Sequence, residues 1–110
     1  MLVFDQLVTA LQNTGVPFAV DEWATRPDAD FGVVAIDGTG AILTGDNCHA
    51  ECAYTGTVDL FLHTLSAETV AAIEAALTSV CEGAWYLNSR QYENSTHLTH
   101  YEWVFELEAI

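Results

Sequence analysis

Strict alternation of side-chain character marks the stretch 100–107, which reads HYEWVFEL. Successive side chains of a strand point to opposite faces, so one face of this stretch receives an apolar set: Tyr101, Trp103, Phe105 and Leu107. The other face receives a mostly polar set: His100, Glu102, Val104 and Glu106. The pattern predicts a final strand that turns one face toward a core and the other face away from it.

A helix is predicted before this strand, between Ser66 and Gly83. Ser66 is a residue type that caps helix N-termini, Glu68 lies in the first turn where the helix dipole favours a carboxylate, and Gly83 ends the helix. The apolar positions share one helical face: Val70, Ile73, Ala76, Leu77 and Val80. A strand at 84–92 and a turn at 93–96 then lead to the final strand.

The first part of the chain predicts another helix, followed by strands. Apolar residues on one face indicate the helix: Leu2, Phe4, Leu7, Val8 and Leu11. Gly15 and Pro17 end it, because glycine suits a C-terminal cap and proline cannot continue the turn. Strands are predicted at 17–23, at 31–37 and at 52–64, of which the last is long and central.

Turn signals separate these strands. Residues 24–30 are a polar loop, and DGTG at 37–40 is a hairpin turn from which 41–44 returns as a second strand. GDN at 45–47 marks a further turn.

These elements predict an α+β fold in a single domain, residues 1–110. Three or four strands lie between the two helices and two strands follow the second helix, in the order α-β-β-β-α-β-β. Hairpin-length connections favour a mostly antiparallel sheet of four or five strands with both helices packed on one face.

The charge balance excludes two classes of partner. The chain carries sixteen carboxylates, two arginines and no lysine, for a net charge of −14 at pH 7. A surface that grips nucleic acid needs clustered basic residues, and an anionic membrane would repel this chain. Two explanations of the acidity stay open. It reflects a high-salt habitat or solubility alone, or it acts in function by repelling DNA or steering a basic partner.

Composition also bounds location. No run of about 18 apolar residues occurs, so no membrane span is expected. The N-terminus has no basic region and no small-residue cleavage site, so no secretory signal is expected. Three cysteines cannot all pair within the chain, and free thiols in a reducing compartment are expected.

The segment CHAEC at 48–52 contains potential zinc ligands. A four-ligand set could be assembled on paper from Cys48, His49, Cys52 and either His63 or Cys81. The spacing matches no common zinc arrangement, and a small apolar cysteine at a strand edge is the commoner situation. Neither a metal site nor a cofactor is therefore predicted.

Other catalytic arrangements are weaker still. On a strand, His97 and His100 would project to opposite faces, so they are expected to be structural histidines. The chain contains no Gly-x-Ser-x-Gly elbow and no glycine-rich phosphate loop with its lysine. The chain is therefore predicted not to be an enzyme.

The three tryptophans differ in their expected roles. Core and sheet packing are expected for Trp85 and Trp103. Trp23 lies beside the polar loop and is the tryptophan best placed to anchor a protein interface.

Several short motifs appear in a characteristic order along residues 4–106. They are TGVPF at 14–18 followed by Trp23, GDN at 45–47, VDLF at 58–61, IEAAL at 73–77, GAW at 83–85 and YEW at 101–103. In this order and spacing they resemble the small tail-completion, or tail-terminator, proteins of long-tailed bacteriophages and their prophages. The chain departs from that pattern in having no lysine and a cysteine-rich loop at 41–52.

The resemblance implies a structural subunit that forms a ring, commonly a hexamer, at the head-proximal end of the tail tube. Such a ring stops tube polymerisation and joins the tube to the head connector. The implied partners are further copies of the chain, the tail-tube protein and the head-connector protein, with DNA passing through the lumen and no membrane contact. The implied location is the virion tail or neck, and the host cytoplasm during assembly.

Partner or self-association contacts are expected at Trp23, Gly45, Asp46 and Asn47. The alternative reading of the chain is a small acidic protein-binding module, with Glu102, Glu106 and Glu108 imitating DNA phosphates in a basic groove. A third possible function is that of a metal-dependent enzyme or sensor that uses Cys48, His49 and Cys52 of the CHAEC segment.

Overall fold

The computed structural model describes residues 2–39 and 54–108. Within these residues the chain forms two helices and five strands. In chain order they are α1 (Val3–Gln12), β1 (Phe18–Val20), β2 (Phe31–Thr39), β3 (Tyr54–Leu62), α2 (Ala67–Cys81), β4 (Trp85–Glu93) and β5 (Leu98–Leu107). The predicted α+β class and the order α-β-β-β-α-β-β are confirmed.

The strands form one sheet in the order β1-β2-β3-β5-β4. The pairs β2–β3, β3–β5 and β5–β4 are antiparallel, and only the short edge strand β1 runs parallel to its neighbour β2. Strand β3 lies in the middle, as the long apolar alternation of 52–64 predicts.

One face of the sheet and both helices enclose a single large core. The side chains that β5 adds to this core are those that the alternation assigns to it: Tyr101, Trp103, Phe105 and Leu107. The register places Val58 opposite Trp103 and Leu60 opposite Tyr101, so β3 contributes to the same face. The helices add the buried residues Leu7, Leu11, Ile73, Ala76, Leu77 and Cys81.

Local chemistry fixes the ends of α2. The Ser66 hydroxyl accepts a hydrogen bond from the Thr69 N–H at 3.2 Å, which satisfies one of the free amides of the first turn. At the other end Glu82 adopts a left-handed conformation with φ 51°, and Gly83 follows with φ 88°. Glycine takes this conformation without steric cost, so the chain can leave the helix there.

The prediction of a hairpin turn at 37–40 is wrong for residues 37–39, which belong to strand β2. Strand β2 continues through this segment, with Gly38 opposite Thr55 and Thr39 opposite Tyr54, after a bulge between Ile36 and Gly38. The bulge absorbs the extra residue, and the long partner strand supplies hydrogen bonds that outweigh local turn preference. The predicted strand at 41–44 lies outside the described residues.

The predicted strand at 17–23 is shorter than expected. Strand β1 ends at Val20, and Asp21 then adopts a left-handed conformation with φ 69°. The Asp21 N–H donates to the carbonyl of Val34 at 3.0 Å, and beyond that contact the chain leaves the sheet edge. No helix within the described residues is long and apolar enough to cross a membrane.

Candidate interaction surface

The sheet face opposite the helices is the main candidate surface. Three cross-strand rows define this face, which we call the open face. The rows are Phe31–Phe61–His100, Val33–Asp59–Glu102 and Ala35–Thr57–Val104–Tyr86. Within the described part of the chain no helix packs on these rows, and most of their side chains are only partly buried. Among residues 2–39 and 54–108, this face is therefore the candidate contact surface of the sheet.

An aromatic stack forms the first row. The rings of Phe31 and Phe61 lie 4.7 Å apart and nearly parallel, and the His100 ring lies 4.2 Å from the Phe61 ring on its other side. Phe31, Phe61 and Leu98 form a small second core on this side of the sheet. This end of the open face is therefore apolar and well packed, with Phe31 and Phe61 buried.

His100 is held by carboxylates on neighbouring strands. Its Nε2 lies 2.6 Å from Oδ1 of Asp59, and its Nδ1 lies 3.6 Å from Oε2 of Glu93. The hydrogen bond with Asp59 raises the pKa of His100. Burial lowers that pKa in part, and the charges of Asp59, Glu93 and Glu102 raise it further. The arrangement favours an imidazolium on an otherwise acidic surface.

The second row concentrates negative charge. Asp59 and Glu102 are directly opposite each other on adjacent strands, and the Asn88 side-chain amide donates to Glu102 Oε1 at 2.7 Å. Neither Arg26 nor Arg90 lies within 4.0 Å of a carboxylate of the described residues. Among the described cationic groups, His100 is thus the one that forms an ion pair with a carboxylate of this row.

The third row is weakly polar. It runs from Ala35 through Thr57 and Val104 to Tyr86, whose side chain is 57% exposed on the outer strand β4. Exposed tyrosines are common anchors of protein interfaces because they combine a large apolar ring with a hydroxyl group. This row is the part of the open face best suited to contact a protein.

Trp23 lies at the border of the open face. Its indole Nε1 donates to the Gly32 carbonyl at 2.9 Å, and its ring meets the Phe31 ring edge-on at 6.4 Å between centroids. The side chain is half-buried, so only part of it can contact a partner. The other predicted interface residues, Gly45, Asp46 and Asn47, lie outside the described residues.

The two remaining tryptophans pack as expected. Trp103 is fully buried, and its Nε1 donates to Glu74 Oε2 at 3.0 Å. Trp85 packs against the core, and its Nε1 donates to Thr78 Oγ1 at 3.1 Å.

The two described members of the possible zinc set, His63 and Cys81, lie in different environments. Cys48, His49 and Cys52 lie outside the described residues. His63 is exposed and pairs with Asp30 at 3.3 Å, whereas Cys81 is buried in the core, where burial raises the pKa of its thiol to about 12. Across residues 2–39 and 54–108 no cluster of three His, Cys, Asp or Glu side chains could hold a metal ion.

The two histidines near the last turn differ in environment. His97 lies in the turn before β5 with φ 59°, and its Nδ1 lies 3.1 Å from the Tyr92 hydroxyl. His100 lies on the open face. The expectation that both lie on a strand is wrong for His97, which precedes β5, and the pairing of His100 with Asp59 is not predicted by the sequence. The sequence shows that Asp59 and His100 are polar residues within predicted strands. Their pairing cannot be predicted without the register of β3 and β5.

Comparison with known proteins identifies a solved structure of similar fold but no family. No protein-family model and no curated protein matches the chain. Among solved structures, the chain is similar to one from the "Virion of native gene transfer agent (GTA) particle". The TM-score is 0.56 at 17% sequence identity, over 98% of this chain and 91% of that chain. At this identity the similarity shows a shared fold along nearly the whole length of both chains.

Proposed function

We propose that this chain is a structural subunit of a phage-like virion. In this role it forms a ring at the head-proximal end of the tail tube, where it ends the tube and joins it to the head connector. The observation that carries the proposal is the fold shared with a chain of a gene transfer agent virion particle over 98% of the present chain. The order of motifs along residues 4–106 supports the same role independently.

The open face supports an assembly role. A ring subunit must present a surface to its neighbours, and among the described residues both helices lie on one side of the sheet, so no described helix blocks such contacts on the other side. The third row, with Tyr86 at its outer end, supplies the apolar and aromatic groups that protein contacts use. In this proposal the chain acts through its interfaces, without a catalytic residue or a cofactor.

The charge is compatible with a channel through which DNA passes. A ring of six copies would carry about six times the −14 of one chain. Carboxylates on the channel wall would repel phosphates, so DNA could move through without being held. Carboxylates on the outside would leave the channel neutral, and the electrostatic potential of an assembled ring distinguishes the two arrangements.

The mass of the purified chain in solution tests the proposal. A ring gives a discrete multiple of 12.0 kDa by native mass spectrometry and ring-shaped particles by electron microscopy, alone or on tail tubes. A chain that stays monomeric in the presence of tail tubes contradicts it. If that monomer instead binds a basic DNA-binding protein in competition with DNA, the acidic-module alternative takes its place.

A matched pair of tyrosine variants tests the contact surface. Tyr86 and Tyr92 lie on the same strand with 57% and 58% exposure, but Tyr86 is on the open face and Tyr92 on the opposite one. We expect Tyr86→Ser to weaken subunit association at least tenfold and Tyr92→Ser to leave it within about threefold. Equal effects of the two substitutions would contradict assembly through the open face.

A further inference from the structure

We propose that a cavity beside the aromatic end of the open face binds a lysine or arginine side chain presented by a basic protein partner. The cavity lies between the loop that follows β1 and the sheet, and it has a volume of about 270 Å³. That volume admits one long side chain. The inference goes beyond the virion role and does not depend on it.

Aromatic rings form the inner surface of the cavity. Phe31 and Phe61 present their stacked rings, and Trp23 stands against Phe31 with an interplanar angle of 84°. The hydrogen bond from the Trp23 indole to the Gly32 carbonyl fixes this ring. Aromatic rings attract a lysine or guanidinium group electrostatically. Phe31 and Phe61 are only 2% and 8% exposed, so the half-buried Trp23 ring is the part of this lining that an incoming cation reaches most readily.

Arg26 of the same chain shows that a guanidinium fits here. Its Cζ lies 5.3 Å from the centroid of Phe31 and 5.5 Å from that of Phe61. Both distances fall within the usual range of cation–π contacts. Arg26 is exposed and has no ion pair with a described carboxylate, so it can move aside or share the rings with an incoming cation.

Charge selects the partner. Three carboxylates, Asp21, Glu22 and Asp59, line the cavity with one arginine, and the whole chain carries −14. Asp59 is already paired with His100, so Asp21 and Glu22 are the carboxylates left to attract a cation. A second copy of the chain is a poor occupant because it has the same net charge and only two arginines. One of these is Arg26 itself, and Arg90 lies over the ring of Tyr101 on the core side of the sheet. A basic surface of a different protein is the complementary occupant.

Indole N–H signals offer a direct measurement with internal controls. The ¹⁵N-labelled full chain is titrated with a hexa-arginine peptide, and hexa-glutamate serves as the control peptide. We expect hexa-arginine to shift the Trp23 signal, with a dissociation constant below about 1 mM, and to leave the Trp85 and Trp103 signals in place. Added salt weakens this binding because it screens the carboxylates.

Substitutions around the cavity distinguish the effect of Arg26 on cation binding from that of the carboxylates. Because Arg26 competes for the same rings, Arg26→Ala should tighten binding of hexa-arginine threefold or more. The double substitution Asp21→Asn and Glu22→Gln, on exposed positions, should weaken it threefold or more. Asp5→Asn with Glu68→Gln removes two exposed carboxylates from the helices and serves as the matched control, with little effect expected.

The opposite results would overturn the proposal. They are the absence of a Trp23 shift, equal shifts of all three indole signals, binding of hexa-glutamate, or loss of binding in Arg26→Ala. None of these results bears on ring formation, which is measured separately by mass. Failure of this inference is therefore distinguishable from failure of the proposed function.

Discussion

Asp59 and His100 are diagonal neighbours on the adjacent strands β3 and β5, with Oδ1 of the carboxylate 2.6 Å from Nε2 of the imidazole. The side chains of both residues are largely withdrawn from solvent, with 20% and 24% exposure. The pair therefore joins the two strands on the open face by a charge-assisted hydrogen bond, which is stronger than a neutral one.

This pair predicts a pH-dependent stability. The pKa of His100 is higher in the folded chain than its ordinary value of 6.5, so the folded state binds the proton more tightly than the unfolded state. The stabilisation is complete below 6.5 and is lost as the pH rises through the folded-state pKa. Urea unfolding between about pH 5.5 and about pH 9 should show this decline.

A variant isolates the contribution of His100 to that decline. His100→Gln keeps a neutral hydrogen-bond donor near Asp59 but cannot titrate, so its unfolding free energy should depend less on pH than that of the parent chain. The pairing predicts a loss of about 1–2 kcal/mol for the variant at pH 6, where the imidazolium is present. An unchanged pH slope in His100→Gln would show that other groups cause the decline.

A second prediction concerns the start of α2. Ser66→Ala removes the hydroxyl that accepts from the Thr69 N–H at 3.2 Å, and the free energy of unfolding should fall by about 1 kcal/mol. Ser79 is exposed within the same helix, so Ser79→Ala is the matched control and should change stability by less than about 0.5 kcal/mol. Urea unfolding followed by circular dichroism measures both, and equal losses would argue against a capping role.

The sequence predicts the elements better than their contacts. The alternation in β5 identifies both faces of the sheet, and the apolar positions of α2 identify the side of that helix that is buried. The contact between Asp59 and His100 joins residues 41 positions apart, and local patterns carry no information on which residues of two strands are opposite. The same limit explains the turn predicted at 37–40, where pairing with β3 outweighs the preference of Asp37-Gly38 for a turn.

The candidate surface was predicted in part. Alternation placed His100, Glu102, Val104 and Glu106 away from the core, which anticipates the open face. The position of Trp23 could not be predicted, because its hydrogen bond to Gly32 depends on how the loop after β1 folds back on the sheet.

A third prediction follows from the backbone of β2. A methyl group on Gly32 would overlap the Phe18 ring, whereas one on Gly38 would meet only Thr55 Oγ1 at 3.9 Å. Gly32→Ala should therefore lower the unfolding free energy by about 1–3 kcal/mol, because the buried Phe18 must move. Gly38→Ala should stay within about 0.5 kcal/mol of the parent. If both substitutions are tolerated equally in urea unfolding, the close packing of Phe18 on Gly32 is contradicted.

The fourth prediction compares two tryptophan hydrogen bonds. Trp103 is fully buried, and its indole donates to Glu74 Oε2 at 3.0 Å from the middle of β5. Trp103→Phe leaves a cavity and removes the donor that Glu74 uses, so we expect a loss of about 2–4 kcal/mol.

Trp85→Phe is the control for this prediction. The Trp85 indole donates to Thr78 Oγ1 at an exposed site, where water can replace the lost partner. We expect a loss of less than about 1.5 kcal/mol for this substitution. Adding Glu74→Gln to Trp103→Phe should recover part of the stability, since a neutral amide costs less to leave unpaired than a carboxylate. Without such a recovery, the loss in Trp103→Phe would come from the cavity alone.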